Sequence, residues 1–224
     1  MTAAYLTLLL ADGRLPTGAH TQSAGVEPAF AHGMTLAQLP DYVRVRLRTV
    51  TEVEAATAVV ARHVWLTARD AATAPQLAPV DRAWRVRTLS DALRSASDLL
   101  GRSYLRMASA VWDLGTLGPP PGGAWCRPVV VGVTAAAAGI SATDTARLVG
   151  FDDVQTVLAA ALKLTPFDPS LGVRWSAAAA EEVERMVDRV SGCACVVDIP
   201  AHSAPQIEEW GQRHATTERR LFRA

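Results

Sequence analysis

Apolar residues recur along most of this chain at the spacing of three and four that places them on one face of a helix. The clearest run is Leu89, Leu93, Ala96, Leu100, Tyr104, Met107 and Val111, which predicts a helix over 89–112 with one stripe facing a core. A second begins at Thr35 and passes through Val43, Leu47, Val50, Val53, Thr57, Val60 and Val64. Its length predicts an internal break, with Pro40 near the start, where proline is tolerated. Residues 3–11 read as a short buried helix ending at Asp12-Gly13, with Gly13 in the left-handed conformation that stops helices. Trp175, Ala179, Val183, Met186 and Val190 mark a further helix, and Ile207, Trp210, His214 and Leu221 outline a last one.

Punctuation between these runs comes from proline and glycine. Residues 72–79, "ATAPQLAP", read as a loop, as do 114–125 and 192–205, and Pro166 and Pro169 close the run over 152–164. "RPVVVGVTAAAAGI" suits a buried strand by its valines or a tightly packed helix by its alanines, and helix is the expectation. Ser141 followed by Asp144 resembles a capping arrangement. The pattern as a whole predicts an all-α, single-domain bundle of roughly nine or ten helices spanning residues 1–224.

Composition adds bounds. Half the residues are hydrophobic and a fifth charged, and the 22 basic residues balance the 22 acidic ones. A zero net charge gives no field favouring nucleic acid or an anionic membrane. Lys163 is the only lysine, so the basic charge is almost wholly arginine. The apolar runs are too short to span a bilayer, and three cysteines make no disulfide framework, so a cytoplasmic setting is expected.

The stretch "DGRLPTGAHTQSAGVE", residues 12–27, concentrates the candidate chemistry. Asp12, His20 and Ser23 supply the residue types of a hydrolase triad, but such groups usually converge from separate elements, and no G-x-S-x-G elbow is present. A joint between helices fits better: Gly13 ends one helix, Pro16 fixes the turn, and Thr17 or a nearby hydroxyl caps the next. Cys193, Cys195 and His202 could bind a soft metal, with Cys126 or a distant histidine as fourth ligand, although C-x-C is weaker than paired C-x-x-C motifs. Arg94, Arg102 and Arg106 lie on or beside one polar face of the 89–112 helix, which reads as a solvated face or as a docking surface for an acidic partner. No P-loop, H-E-x-x-H or G-x-G-x-x-G motif occurs. The ending "ERRLFRA" carries Leu221 and Phe222, which a free tail would leave with nothing to bury them.

Four stretches, in order, resemble the urease accessory family UreF. They are "LLLADGRLPTGAHTQSAGVE", "LRSASDLLGRSYLRMA", "RPVVVGVTAAAAGI" and "QRHATTERRLFRA", and the resemblance covers nearly the whole chain. Gly13 stands where the family has serine and Gln22 where many members have a second histidine, so a histidine pair for nickel is missing at this turn. Ala215 replaces a glutamate, Lys163 sits near the family's arginine, and 165–172 follow the family pattern loosely. The resemblance implies a homodimeric, non-catalytic nickel-insertion chaperone. Such a protein binds no cofactor or metal itself and bridges a UreD- or UreH-type partner and the GTPase UreG to activate apo-urease. By carry-over, His214, Arg219, Arg220, Leu221 and Phe222 would face the UreD-type partner. Arg94, Ser97, Gly101 and Arg102 are further contact candidates. The turn residues Asp12, Pro16, Thr17, Gly18, His20, Ser23, Gly25 and Glu27 would serve fold and interface.

Overall fold

The computed structural model describes residues 2–68, 73–114, 117–120, 123–217 and 221–222, with only the backbone of Thr73 and Ala74. Among these residues the chain forms ten α-helices and three short 3-10 turns, without a strand. The helices are α1 (Ala3–Leu10), α2 (Val26–Ala31), α3 (Leu39–Leu47), α4 (Val50–Thr67), α5 (Thr73–Arg87), α6 (Asp91–Ser109), α7 (Arg127–Ala137), α8 (Ala142–Leu164), α9 (Pro169–Val190) and α10 (Pro205–His214). They share one core, so the chain is an all-α single domain. No helix among the described residues is long and apolar enough to cross a membrane.

At the centre runs α4, buried almost all round from Thr51 to Ala61 and packed against α5, α7 and α8. Its small residues explain that position. Ala55, Ala58 and Ala61 let α7 approach until a Cβ on Gly132 would lie 2.9 Å from that of Ala61 and against the Ala58 carbonyl. Glycine is therefore required at 132 by contact. The α7 valines Val129, Val130 and Val133 fill the space beside it and are fully buried.

Several local expectations hold. The break in the long second run falls at Arg48-Thr49, between α3 and α4, and Pro40 occupies the first turn of α3. Ser141 caps α8 by accepting the Asp144 amide at 3.0 Å. The run over 152–164 ends with α8 at Leu164, before Pro166, whereas Pro169, expected to help close it, opens α9, where its missing amide hydrogen costs nothing.

Others need correction. Thr73–Arg87 is helix, so much of the loop expected over 72–79 is the start of α5. Pro79 lies inside it and forfeits one backbone hydrogen bond, while Leu77, Val80, Ala83 and Trp84 become buried along the same helix. Gly13 is outside the left-handed region, and α1 closes at Ala11 through its backbone amide. Neither Thr17 nor another hydroxyl caps the next two helical elements. Gly18 and Gly25, both left-handed, precede the 3-10 turn Ala19–Thr21 and α2 instead. The last helix stops at His214, so Leu221 lies outside it.

Candidate functional site

The chain from Asp12 to Glu27 folds as a strapped turn rather than as a reactive loop. Asp12 turns back on Arg14, whose guanidinium hydrogen bonds hold its carboxyl down at about 2. Pro16 and His20 are exposed, whereas Thr17 and Ser23 are buried. Ser23 is wholly closed to solvent, so no substrate reaches its hydroxyl, and the Asp12 carboxylate is already committed. Those three residues do not assemble a triad.

Ala24 and Gly25 form the tightest point. Ala24 has φ +50°, which a side chain adopts only under constraint, and α3 supplies that constraint. The Tyr42 hydroxyl donates to the Ala24 carbonyl at 2.7 Å, and Arg46 Nη1 donates to the same oxygen at 2.9 Å. A Cβ at Gly25 would come within 2.6 Å of the Tyr42 hydroxyl. Arg46 is anchored from its other side by Asp153 on α8, at 2.6 Å, and Thr51 donates to that carboxylate as well. A second buried pairing lies next to it, where Arg127 at the start of α7 bridges Glu54 of α4 and Asp152 of α8. Burial raises the carboxyl groups of Glu54 and Asp152, and Arg127 opposes that rise. The turn thus rests on a charged layer joining α3, α4, α7 and α8.

The end of the turn holds the end of the chain. Glu27 Oε1 accepts the Leu221 amide at 2.6 Å, and Oε2 accepts the Phe222 amide at 2.9 Å. His214 Nε2 lies 3.1 Å from the same Oε2. Phe222 is buried, and the Lys163 ammonium stands over its ring at 5.3 Å from the centroid. Beside them His32 of α2 stacks on Trp210 of α10. One carboxylate in the turn therefore gathers the end of α10 and the tail into a single surface, from which Leu221 projects at 63% exposure. Arg219 and Arg220 lie outside the described residues.

The α6 candidates separate into two groups. Arg94 is occupied with Asp91 and the carbonyls of Thr88 and Leu89, and Arg102 is exposed. Ser97 and Gly101 are buried against the start of α7, where Ser97 Oγ accepts the Arg127 amide at 2.9 Å and Gly101 faces the Trp125 backbone. Their visible work is to seat α6 on α7.

Asp198 organises the cysteine segment. It accepts the amides of Ala194 and Cys195, at 2.9 and 3.0 Å, and the Cys195 thiol donates to it at 3.1 Å. His202 turns away towards Glu52, at 3.7 Å. Among the described residues no three histidine, cysteine or acidic side chains converge as a metal site.

Two elements of this geometry escape a reading of the sequence. The charged layer leaves only a faint trace there, Asp152-Asp153 inside an otherwise apolar stretch and Arg46 between valine and leucine. Lys163 is conspicuous as the only lysine, but its place over Phe222 depends on two segments far apart in sequence.

Comparison with known proteins gives the family. The family model UreF matches residues 34–180. The chain is similar to the urease accessory protein UreF of Mycobacterium sp. (strain JLS), 34% identical over 228 residues and covering 99% of both sequences. It is 33% identical to the protein of the same description from Mycobacterium tuberculosis H37Rv, and 31% identical to that from Mycobacterium marinum, again over 99% of each.

Proposed function

The chain belongs to the UreF family of urease accessory proteins, and from that premise we propose that it is a non-catalytic scaffold for urease maturation. It works in the cytoplasm as a homodimer, joins a UreD- or UreH-type partner to the GTPase UreG, and presents the assembly to apo-urease. Nickel is the cargo of that assembly, and the chain needs no cofactor of its own.

The observation that carries this reading is the grip of Glu27 on the amides of Leu221 and Phe222, with His214 Nε2 3.1 Å from the same carboxylate. At Leu221 and Phe222 the backbone is held by polar contacts that a partner can exchange for its own. His214, Leu221 and Phe222, with Arg219 and Arg220, face the UreD-type partner. Pro16, His20 and Arg102 are exposed and face UreG or the dimer mate, with Arg94 beside them. Asp12, Thr17, Gly18, Ser23 and Gly25 hold the turn in shape beneath that face.

Co-expression with the UreD-type partner tests the assignment. Deleting residues 215–224 is expected to remove the partner from the purified complex and to leave urease unactivated. Recovery of the full complex after that deletion refutes the tail assignment.

A further inference from the structure

Lys163, the only lysine of the chain, stands exposed in the last turn of α8. A cation there complements the helix dipole wherever its side chain points, so the dipole does not explain the direction taken. The ammonium lies over the Phe222 ring, 5.3 Å from its centroid, and 3.5 Å from the His20 carbonyl oxygen. A ring face and a carbonyl oxygen are both negative ends of uncharged groups, and both attract a positive charge.

Two opposite charges therefore divide Phe222 between them. Glu27 Oε2 accepts its backbone amide at 2.9 Å, and Lys163 stands over its ring. The backbone contact alone leaves the ring free to change rotamer, and the ring contact alone leaves the chain direction open. With both in place Phe222 is 4% exposed, while its neighbour Leu221 is 63% exposed. The His20 carbonyl belongs to the 3-10 turn Ala19–Thr21, so the same ammonium ties the tail to the turn by a route that does not pass through Glu27.

We propose that Lys163 is a positioning residue of the docking surface: its charge seats the Phe222 ring against the turn and so leaves Leu221 facing the partner. This role rests on the reading of the tail as the contact with the UreD-type partner. Charge, not reach, carries it. Methionine is unbranched and of similar length but uncharged, whereas arginine keeps the charge and stacks on aromatic faces. Loss of an exposed cation–π contact corresponds to a weakening of about twofold to fivefold.

A single lysine makes the contact visible by itself. In the isolated full chain, lysine labelled with carbon-13 at Cε is expected to give one signal, its protons shifted upfield by the Phe222 ring. Phe222→Leu should return that signal to the position of free lysine. A wild-type signal already at that position, or one that Phe222→Leu leaves in place, overturns the proposal. Affinity for the UreD-type partner is the second readout. Lys163→Met is expected to bind about twofold to fivefold more weakly, and Lys163→Arg to restore the wild-type value. Equal affinity of Lys163→Met and wild type, or an arginine variant as weak as the methionine one, overturns it too. Both substitutions fall on an exposed residue, so the fold is expected to survive them. The chain lacking 215–224 separates the two possible failures. Lost binding there, beside wild-type affinity in Lys163→Met, removes only the role of Lys163. Full binding by the truncated chain overturns the tail reading and this role with it.

Discussion

The seam between α4 and α7 and the join between the turn and the tail are both contacts between distant segments, but they are built from opposite materials. Along the middle of the seam, beyond the Arg127–Glu54 pair at the start of α7, Ala55, Ala58, Val129, Gly132 and Val133 are buried apolar or small residues, and glycine lets backbone approach backbone. At the join, one carboxylate accepts two amides beside His214, with Phe222 as the only buried apolar group of the tail among the described residues. Close packing has no second partner to turn to, so the seam fails only by losing its fit. Hydrogen bonds at an edge can be exchanged for others at little cost, so the join can open while the bundle stays folded.

Overpacking the seam is expected to have the largest effect. Gly132→Val drives a side chain into the Ala58 backbone and should cost about 3 kcal/mol in denaturant unfolding. Glu27→Gln should cost about 1 to 2 kcal/mol, and the loss should be local. Hydrogen exchange would then quicken at the Leu221 and Phe222 amides and stay unchanged along α4. Equal quickening in both places would erase the contrast.

Acid probes a third kind of contact. Glu182 of α9 accepts from Arg48 and Arg185, and the Arg48 hydrogen bond is the main reason its carboxyl falls from 4.5 to about 2. A carboxyl lowered on folding contributes its full stability above pH 4.5 and loses it as the pH falls towards 2. Solvent screening at exposed Arg48 limits the gain to about 1 kcal/mol. Glu182→Gln should therefore flatten the decline in stability between pH 4.5 and 2, as followed by urea midpoints. The smallest effect belongs to exposed Arg102. Arg102→Ala should change stability by less than about 0.5 kcal/mol, and a larger loss would mean that α6 uses it for packing.

Much of the bundle is legible in the sequence because it is written locally. The stripe of α6, the Ser141 cap and the glycine–alanine pattern of α7 each depend on residues within a few turns of one another. The start of α5 is not, since Pro75 and Pro79 spell a loop and only burial of Leu77 and Trp84 overrides them. The candidate site is legible by composition and illegible by role. Asp12, His20 and Ser23 look like chemistry, but Arg14 and burial dispose of two of them. Ser97 and Gly101 carry a family resemblance on an apparent surface, and a helix stripe alone does not reveal that α7 covers them. Glu27 meets Phe222 across 195 positions, a pairing that no local pattern encodes.

The central claim is that the turn and the tail form one docking surface because Glu27 joins them. The most direct measurement is the affinity of the UreD-type partner for the wild-type chain, for Glu27→Gln and for the chain lacking 215–224. The expected result is that Glu27→Gln, folded and with α4 exchange unchanged, loses about tenfold or more in affinity and approaches the truncated chain. Wild-type affinity in Glu27→Gln beside lost binding in the truncated chain would contradict it, since the tail would then bind without the turn.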